Sequence, residues 1–240
     1  LEYADLEVNN ILPLFPSSQV LAKQAATEAA VKTSQEMSLS HCHHFSCHGE
    51  FNLESPLESA LILGKDESPE DGRLTLAEIF GLSLNQCRLV TLSACETGIT
   101  AVIKTTDSST YDSSTYAEYS SDEYISLPSG FLYAGSPSVV SSLWTVNDFA
   151  TAFLMIKFYQ NLSQFPTRET GEVAVALNQA QTWLREVTKE ALEEWTNHLN
   201  LLSLTSTQKV DWLLRFKKMK PKEQPFKSPY YWAAFCAIGQ

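Results

Sequence analysis

No stretch of this sequence approaches the roughly 18 consecutive apolar residues that a membrane-spanning helix needs, and no basic-then-apolar leader opens it. Neither a membrane span nor a secretory signal is therefore expected. An initiator methionine is also missing, and the opening Leu1-Glu2-Tyr3-Ala4 reads as the start of an N-terminally truncated domain. Cysteine is scarce: five residues in 240, at positions 42, 47, 87, 95 and 236. Disulfide scaffolds are short and cysteine-dense, so an odd handful in a mid-sized domain points to reduced thiols and a cytoplasmic setting. Positive charge is short too, with 17 Lys and Arg against 28 Asp and Glu, a net charge of −11. Nucleic-acid affinity rests on basic side chains neutralising phosphates, so direct nucleic-acid contact is not expected. The acidic surplus serves solubility, or gives a weak preference for basic partners. There are no internal repeats. What is present is 44% hydrophobic, enough to bury a sizeable core as one large domain over residues 1–240.

Two short segments carry chemistry. His44-Phe45-Ser46-Cys47-His48-Gly49 and Leu89-Val90-Thr91-Leu92-Ser93-Ala94-Cys95-Glu96-Thr97-Gly98 each read as a hydrophobic strand ending at a reactive side chain and a small-residue turn. Functional groups of open parallel sheets collect at the carboxyl ends of strands, and a thiol needs a nearby base to become a useful nucleophile. Taken singly, Cys95 reads as a small buried hydrophobe and His48 as a structural histidine. The paired strand-end context favours a catalytic dyad, with backbone N–H groups at Gly49 and Cys95 available to a developing oxyanion.

Around these segments the pattern alternates. Strands are expected at Gln19–Leu21, His41–His48, Leu57–Leu63, Arg88–Ala94, Val139–Trp144 and Tyr231–Ile238. Helices are expected at Lys23–Met37, Leu74–Phe80, Leu127–Ala134, Phe149–Phe165 and Glu172–Val187. Thr75 with Glu78 three residues on forms a capping box. The alternation argues for an α/β domain with right-handed crossovers and a mostly parallel sheet. Thr105–Asp122 is almost all Ser, Thr, Tyr and Asp and should be a mobile loop. Thr188–Phe226 is helical in tendency and ends in the basic run Lys217-Lys218-Met219-Lys220-Pro221-Lys222. The cluster His41-Cys42-His43-His44-Cys47-His48 invites a zinc reading, but strand alternation splits it between two faces. No second CxxC or HxxxH pair lies elsewhere, so neither a metal nor a cofactor is expected.

Ordered matches along the chain resemble the CHAT domain, a caspase-like peptidase domain often found with TPR repeats and grouped with caspases, separases and gingipains. They are His44–Asn52, Ser59–Leu63, Leu74–Ile79, Leu92–Gly98, Gly130–Gly135, Val139–Asp148, Ala176–Gln181 and Pro229–Phe235. Within that clan the chain also resembles the cyanobacterial HetF-type proteases. The resemblance implies the caspase–hemoglobinase fold, an α/β three-layer sandwich with a mostly parallel central sheet flanked by helices, and a cysteine endopeptidase with His48 as base and Cys95 as nucleophile. It also implies an oxyanion hole from the backbone of Gly49 and Cys95, a protein or peptide substrate, and an attached or associated TPR-type regulatory region. Basic-specific relatives carry an acidic residue two before the cysteine, and here that position is Ser93. The stretch Leu143-Trp144-Thr145-Val146-Asn147-Asp148 is similar instead to the separase pattern in which an acidic residue receives a P1 arginine, which makes Asp148 the S1 candidate. Asp148 as a mere helix N-cap is the other reading. If P1 is basic, Lys104 is the natural self-cleavage point. The insertions at 105–122 and 188–226 depart from the family pattern and are positioned to gate the site. A catalytically silent CHAT scaffold, or a thiol hydrolase on a similar sheet, are the alternatives.

Overall fold

The protein is described here from a computed structural model, which covers residues 1–67, 69–94, 101–102, 124–165, 171–200 and 204–239. A four-stranded sheet forms the centre: β1 (Cys42–Phe45), β5 (Leu89–Leu92), β8 (Ser138–Ser142) and β9 (Phe235–Gly239), in that order. β1, β5 and β8 run parallel, as the alternating pattern predicts, whereas β9 pairs antiparallel with β8. Two-sided burial explains the composition of β5: all four of its residues are buried. Leu89 packs into a core on one face of the sheet, and Val90 and Leu92 into a second core on the other. β8 divides the same way, Val140 to the first core and Val139 to the second. This is the expected three-layer sandwich.

The first core is built on α6 (Asp148–Leu162), which buries eleven of its residues, together with α1 (Ala4–Ile11) and α7 (Glu172–Glu186). The 188–226 insertion forms α8 (Lys189–Thr196) and α9 (Ser206–Lys217). It is part of this core: Trp212 lies edge-on to Phe149 at 5.3 Å and to Phe153 at 5.2 Å, and Phe226 is buried beside them. Aromatic pairs in these geometries add roughly 0.5–1.5 kcal/mol each beyond area burial. The lysines of the run ending at Lys222 are exposed. Gln181 on α7 donates to the Trp232 and Phe235 carbonyls at 2.9 and 2.8 Å, fastening the Pro229–Phe235 segment beside β9. Gly239 takes φ +101°, and a Cβ there would lie 2.1 Å from the Pro137 carbonyl oxygen, so glycine is required.

The second core joins α4 (Leu76–Ile79) and α5 (Leu127–Tyr133) to the small antiparallel sheet β2 (His48–Glu50), β3 (Ala60–Ile62), β4 (Arg73–Thr75). The capping box at Thr75 and Glu78 is present, and Ser126 with Ser129 forms another at α5. A further antiparallel pair joins β6 (Ala101–Val102) to β7 (Tyr124–Ile125). The expected 105–122 loop lies outside the described residues.

Three expectations need correction. His41–His48 is not one strand: β1 stops at Phe45, and His48 opens β2 in a different sheet because Gly49 and Glu50 pair with Leu61 and Ala60. Lys23–Met37 is not one helix. Lys23 takes φ +54°, Thr27 caps α2 (Glu28–Thr33) by accepting from the Ala30 N–H, and extended Ser34 separates it from α3 (Gln35–Leu39). Gln19–Leu21 is exposed and forms no strand, since nothing pairs with it among the described residues. No helix of the described residues is long and apolar enough to cross a membrane.

Candidate active site

The site lies at the carboxyl ends of β1 and β5. These strands pair in parallel with Phe45 opposite Leu92, and the Ser93 N–H donates to the Phe45 carbonyl at 2.8 Å, one step beyond the last pair. From there the chains carry on for three residues past Phe45 to His48 and three past Leu92 to Cys95. Ala94, buried, ends the described part of β5's exit, its carbonyl accepting from the Ser142 hydroxyl at the end of β8. Cys95 and Lys104 lie outside the described residues.

His48 is exposed at the start of β2, opposite Ile62. The strand is held from beneath by Leu61 and Leu74, both fully buried, and at its far end by an ion pair between Glu50 and Arg73. Gly49 sits mid-strand opposite Leu61. Asp148 is half-buried as the first residue of α6, and its Oδ2 accepts the Glu2 N–H at 3.1 Å. The helix-cap reading of Asp148 is not what is observed: Asn147 is the N-cap, its side chain accepting from the Ala150 N–H at 3.1 Å. Asp148 is thereby free of capping duty and faces a small cavity shared with Ser93 and Ala94.

Three other thiols are poorly suited to attack. Burial pushes Cys47 up to about 12, and burial raises Cys87 and Cys236 as well. Each therefore stays a thiol near neutrality.

Beneath the site runs a polar chain that sequence reasoning missed. Glu7 Oε1 lies 2.6 Å from His44 Nε2, His44 Nδ1 lies 3.1 Å from the Tyr159 hydroxyl, and Tyr159 donates to Thr91 Oγ1 at 2.8 Å. Glu7 is 2% exposed. The available signal was spacing: Tyr3, Glu7 and Ile11 share one stripe at intervals of four, and both of Glu7's partners on it are buried. Burial holds Tyr159 well above the ordinary phenol range, so it remains a neutral donor. Tyr159→Phe is expected to destabilise the fold by about 1–3 kcal/mol, because Thr91 and His44 lose a buried partner. Urea unfolding of the two proteins measures it.

His43 and His44 part to opposite sides of β1: His43 is buried, with burial lowering its pKa, while His44 joins Glu7. Among the described residues the only trio of groups close enough to share a metal is Glu28, Glu70 and Glu78, and Lys32 Nζ already lies within 3.2 Å of all three.

No curated protein matches the chain. A model of the CHAT domain matches residues 1–240, its whole length. With a mostly parallel sheet flanked by helices on both faces, the chain belongs to the CHAT domain family, whose relatives include caspase-like cysteine peptidases.

Proposed function

We propose that this chain is a caspase-like cysteine endopeptidase in which His48 is the general base and Cys95 the nucleophile, with the Gly49 and Cys95 N–H groups stabilising the oxyanion. The observation that supports the reading is the parallel pairing of β1 with β5, Phe45 opposite Leu92, since His48 and Cys95 each follow three residues later in the sequence. His48 deprotonates the Cys95 thiol, the thiolate adds to the scissile carbonyl, and the imidazolium then protonates the leaving amine. Water, deprotonated in turn by His48, hydrolyses the thioester and restores the thiol. The proposed setting is cytoplasmic, with a protein or peptide substrate and control by an attached or associated TPR-type region. A thiol-reactive peptidyl probe that labels Cys95 and is blocked by peptide substrate supports the reading. Absence of labelling and turnover in the full-length protein overturns it in favour of the scaffold.

Asp148 is the proposed S1 carboxylate for a P1 arginine, then lysine, since a guanidinium offers a carboxylate two parallel charge-assisted bonds. Its position beside Ala94, with helix capping left to Asn147, supports that role. Asp148→Asn should lower kcat/KM for P1-Arg peptides at least about thirtyfold, from the roughly 2–5 kcal/mol cost of truncating one buried charged partner. Peptides with apolar P1 residues should change little. An unchanged P1 ranking removes Asp148 from the pocket. Lys104 is the proposed self-cleavage point, and mass spectrometry showing an intact chain in fully active enzyme excludes a processing requirement.

A further inference from the structure

Charge is spread unevenly along this chain. Seven of its 17 Lys and Arg fall within residues 209–227, against two of its 28 Asp and Glu, although the net charge is −11. Arg215 is taken up by Asp211, 2.6 Å away on α9. Lys217, Lys218, Lys220, Lys222 and Lys227 are all exposed, and none of them makes an ion pair among the described residues. The run is not a loose tail. The Glu190 N–H donates to the Pro221 carbonyl at 3.0 Å and the Lys189 N–H to the Glu223 carbonyl at 2.8 Å, while the Gln224 side-chain amide donates to the Glu186 carbonyl at 3.1 Å. Phe226, just beyond, is buried in the first core. The backbone that carries the lysines is therefore fixed before any partner arrives, which lowers the ordering cost of binding. Helix α9 extends the patch with apolar side chains. Its inward stripe is Gln208, Trp212 and Phe216, all buried. Its outward stripe sets Val210 and Leu214 four residues apart, with Lys217 and Lys218 following on the same side. Val210 is 53% exposed and Leu214 62%. Scattered surface aliphatics need no explanation, but these two adjoin unpaired lysines and give one face an apolar end and a basic end.

That combination selects among anionic partners. A nucleic-acid backbone uses the lysines but has no use for Val210 and Leu214, and the exposed carboxylates of Glu190 and Glu223 beside the run oppose a continuous line of phosphates. A membrane surface needs a broader apolar face than two side chains provide. An acidic polypeptide segment with apolar residues three or four apart uses both ends of the face. We propose that the outward face of α9 and the lysine run after it dock an acidic amphipathic helix of a partner protein. Its apolar residues pack on Val210 and Leu214, and its carboxylates meet Lys217, Lys218 and the lysines that follow. Lysine suits this task, because a point charge on a flexible stem accepts a carboxylate in many positions. The surface lies outside the proposed catalytic machinery and does not depend on the endopeptidase reading.

The test titrates the full-length protein, followed by fluorescence anisotropy, with a labelled helical peptide of Glu carrying Leu at every third or fourth position. Control peptides replace every Glu by Gln or every Leu by Ser, and an oligothymidine and phosphatidylserine vesicles serve as further probes. The acidic peptide is expected to bind at least about tenfold tighter than either control, and to weaken as salt rises because the charges are exposed. The triple variant Lys217→Glu/Lys218→Glu/Lys220→Glu should bind it at least about tenfold more weakly. Val210→Ser/Leu214→Ser should lose about tenfold while keeping the salt dependence. All five positions lie on the surface or are exposed, so both variants should melt with the parent. Affinity unchanged in either variant overturns the proposal, as does an absence of binding at low salt. Oligothymidine or vesicles binding more tightly than the peptide, and losing that binding in the lysine variant, overturns the choice of a protein partner.

Discussion

Cys95→Ala should lower peptide hydrolysis by at least about 10,000-fold, the scale seen when a covalent nucleophile is deleted and only binding and oxyanion contacts remain. Alanine keeps the Cβ, so the substitution removes the thiol and little else, and the thermal midpoint should be unchanged. His48→Ala should be equally inactive, and the double variant no worse than either single one, because dyad members act as a unit. His48 is exposed, and its side chain makes no hydrogen bond among the described residues, so its loss should also spare the fold. The informative comparison is between the two singles. A thiol with no base retains a small thiolate fraction that rises with pH, so residual His48→Ala activity should increase from pH 7 to 9 whereas Cys95→Ala should stay flat. Activity in Cys95→Ala near the parent level removes the covalent mechanism. Cys47 does not step in: burial pushes its thiol up to about 12.

The strand-end pattern that singled out His48 and Cys95 was legible for β5, because such runs are local, whereas His48 opens β2 rather than ending β1. The run Leu89–Leu92 is buried on both faces, as a central parallel strand requires, and it is followed by small residues. The capping box at Thr75 and the α6 start near Phe149 were readable for the same reason. Failures came where pairing at a distance overrides propensity. Nothing between His41 and His48 signals a break, since neither Gly nor Pro intervenes. The break exists because β3, twelve residues on from His48, recruits His48–Glu50 into a second sheet. The alanine-rich Lys23–Met37 segment carries Thr27 and Ser34, which cap and interrupt more strongly than the alanines propagate. The 188–226 insertion was read as helical and as a gate for the site, and its Trp212, Phe216 and Phe226 pack into the core with Phe149 and Phe153. Asp148 was singled out as the S1 candidate from the Leu-Trp stretch. Glu7 was not, because an acidic residue on an apolar helical stripe acquires meaning only when the stripe is docked against His44 and Ser93.

Lys32→Met should destabilise the chain by about 3 kcal/mol at pH 7, the lower end of what is lost when a buried ion pair is broken from one side. Lys32 Nζ lies 3.2 Å from Glu28, 3.0 Å from Glu70 and 2.9 Å from Glu78. The Glu28 side chain is 1% exposed and also accepts the Gly72 N–H at 3.0 Å, so it can neither swing into water nor leave without uncapping that turn. The lower end is appropriate because Glu70 and Glu78 remain partly solvated. The pH dependence identifies the cause. In the parent, burial alone would raise Glu78, but hydrogen bonds from Thr75 and Lys32 outweigh it and hold the carboxyl at about 2, below its ordinary 4.5. A depressed carboxylate contributes stability that is present above pH 4.5 and lost as pH falls toward 2. Burial raises Glu28 at the same time. Without the ammonium the three carboxylates repel one another and their values rise, so protonation relieves the folded state. The gap between parent and variant should therefore shrink as pH falls from about 7 to 5, which urea unfolding at both values measures. A gap that stays constant assigns the loss to packing of the lysine stem instead. The consequence reaches the site, because this cluster ties α2 to the start of α4, and α4 continues directly from β4, the strand that with β3 supports His48. If the proposed dyad holds, a variant loosened there should lose kcat before it loses fold, as His48 wanders from the proposed nucleophile.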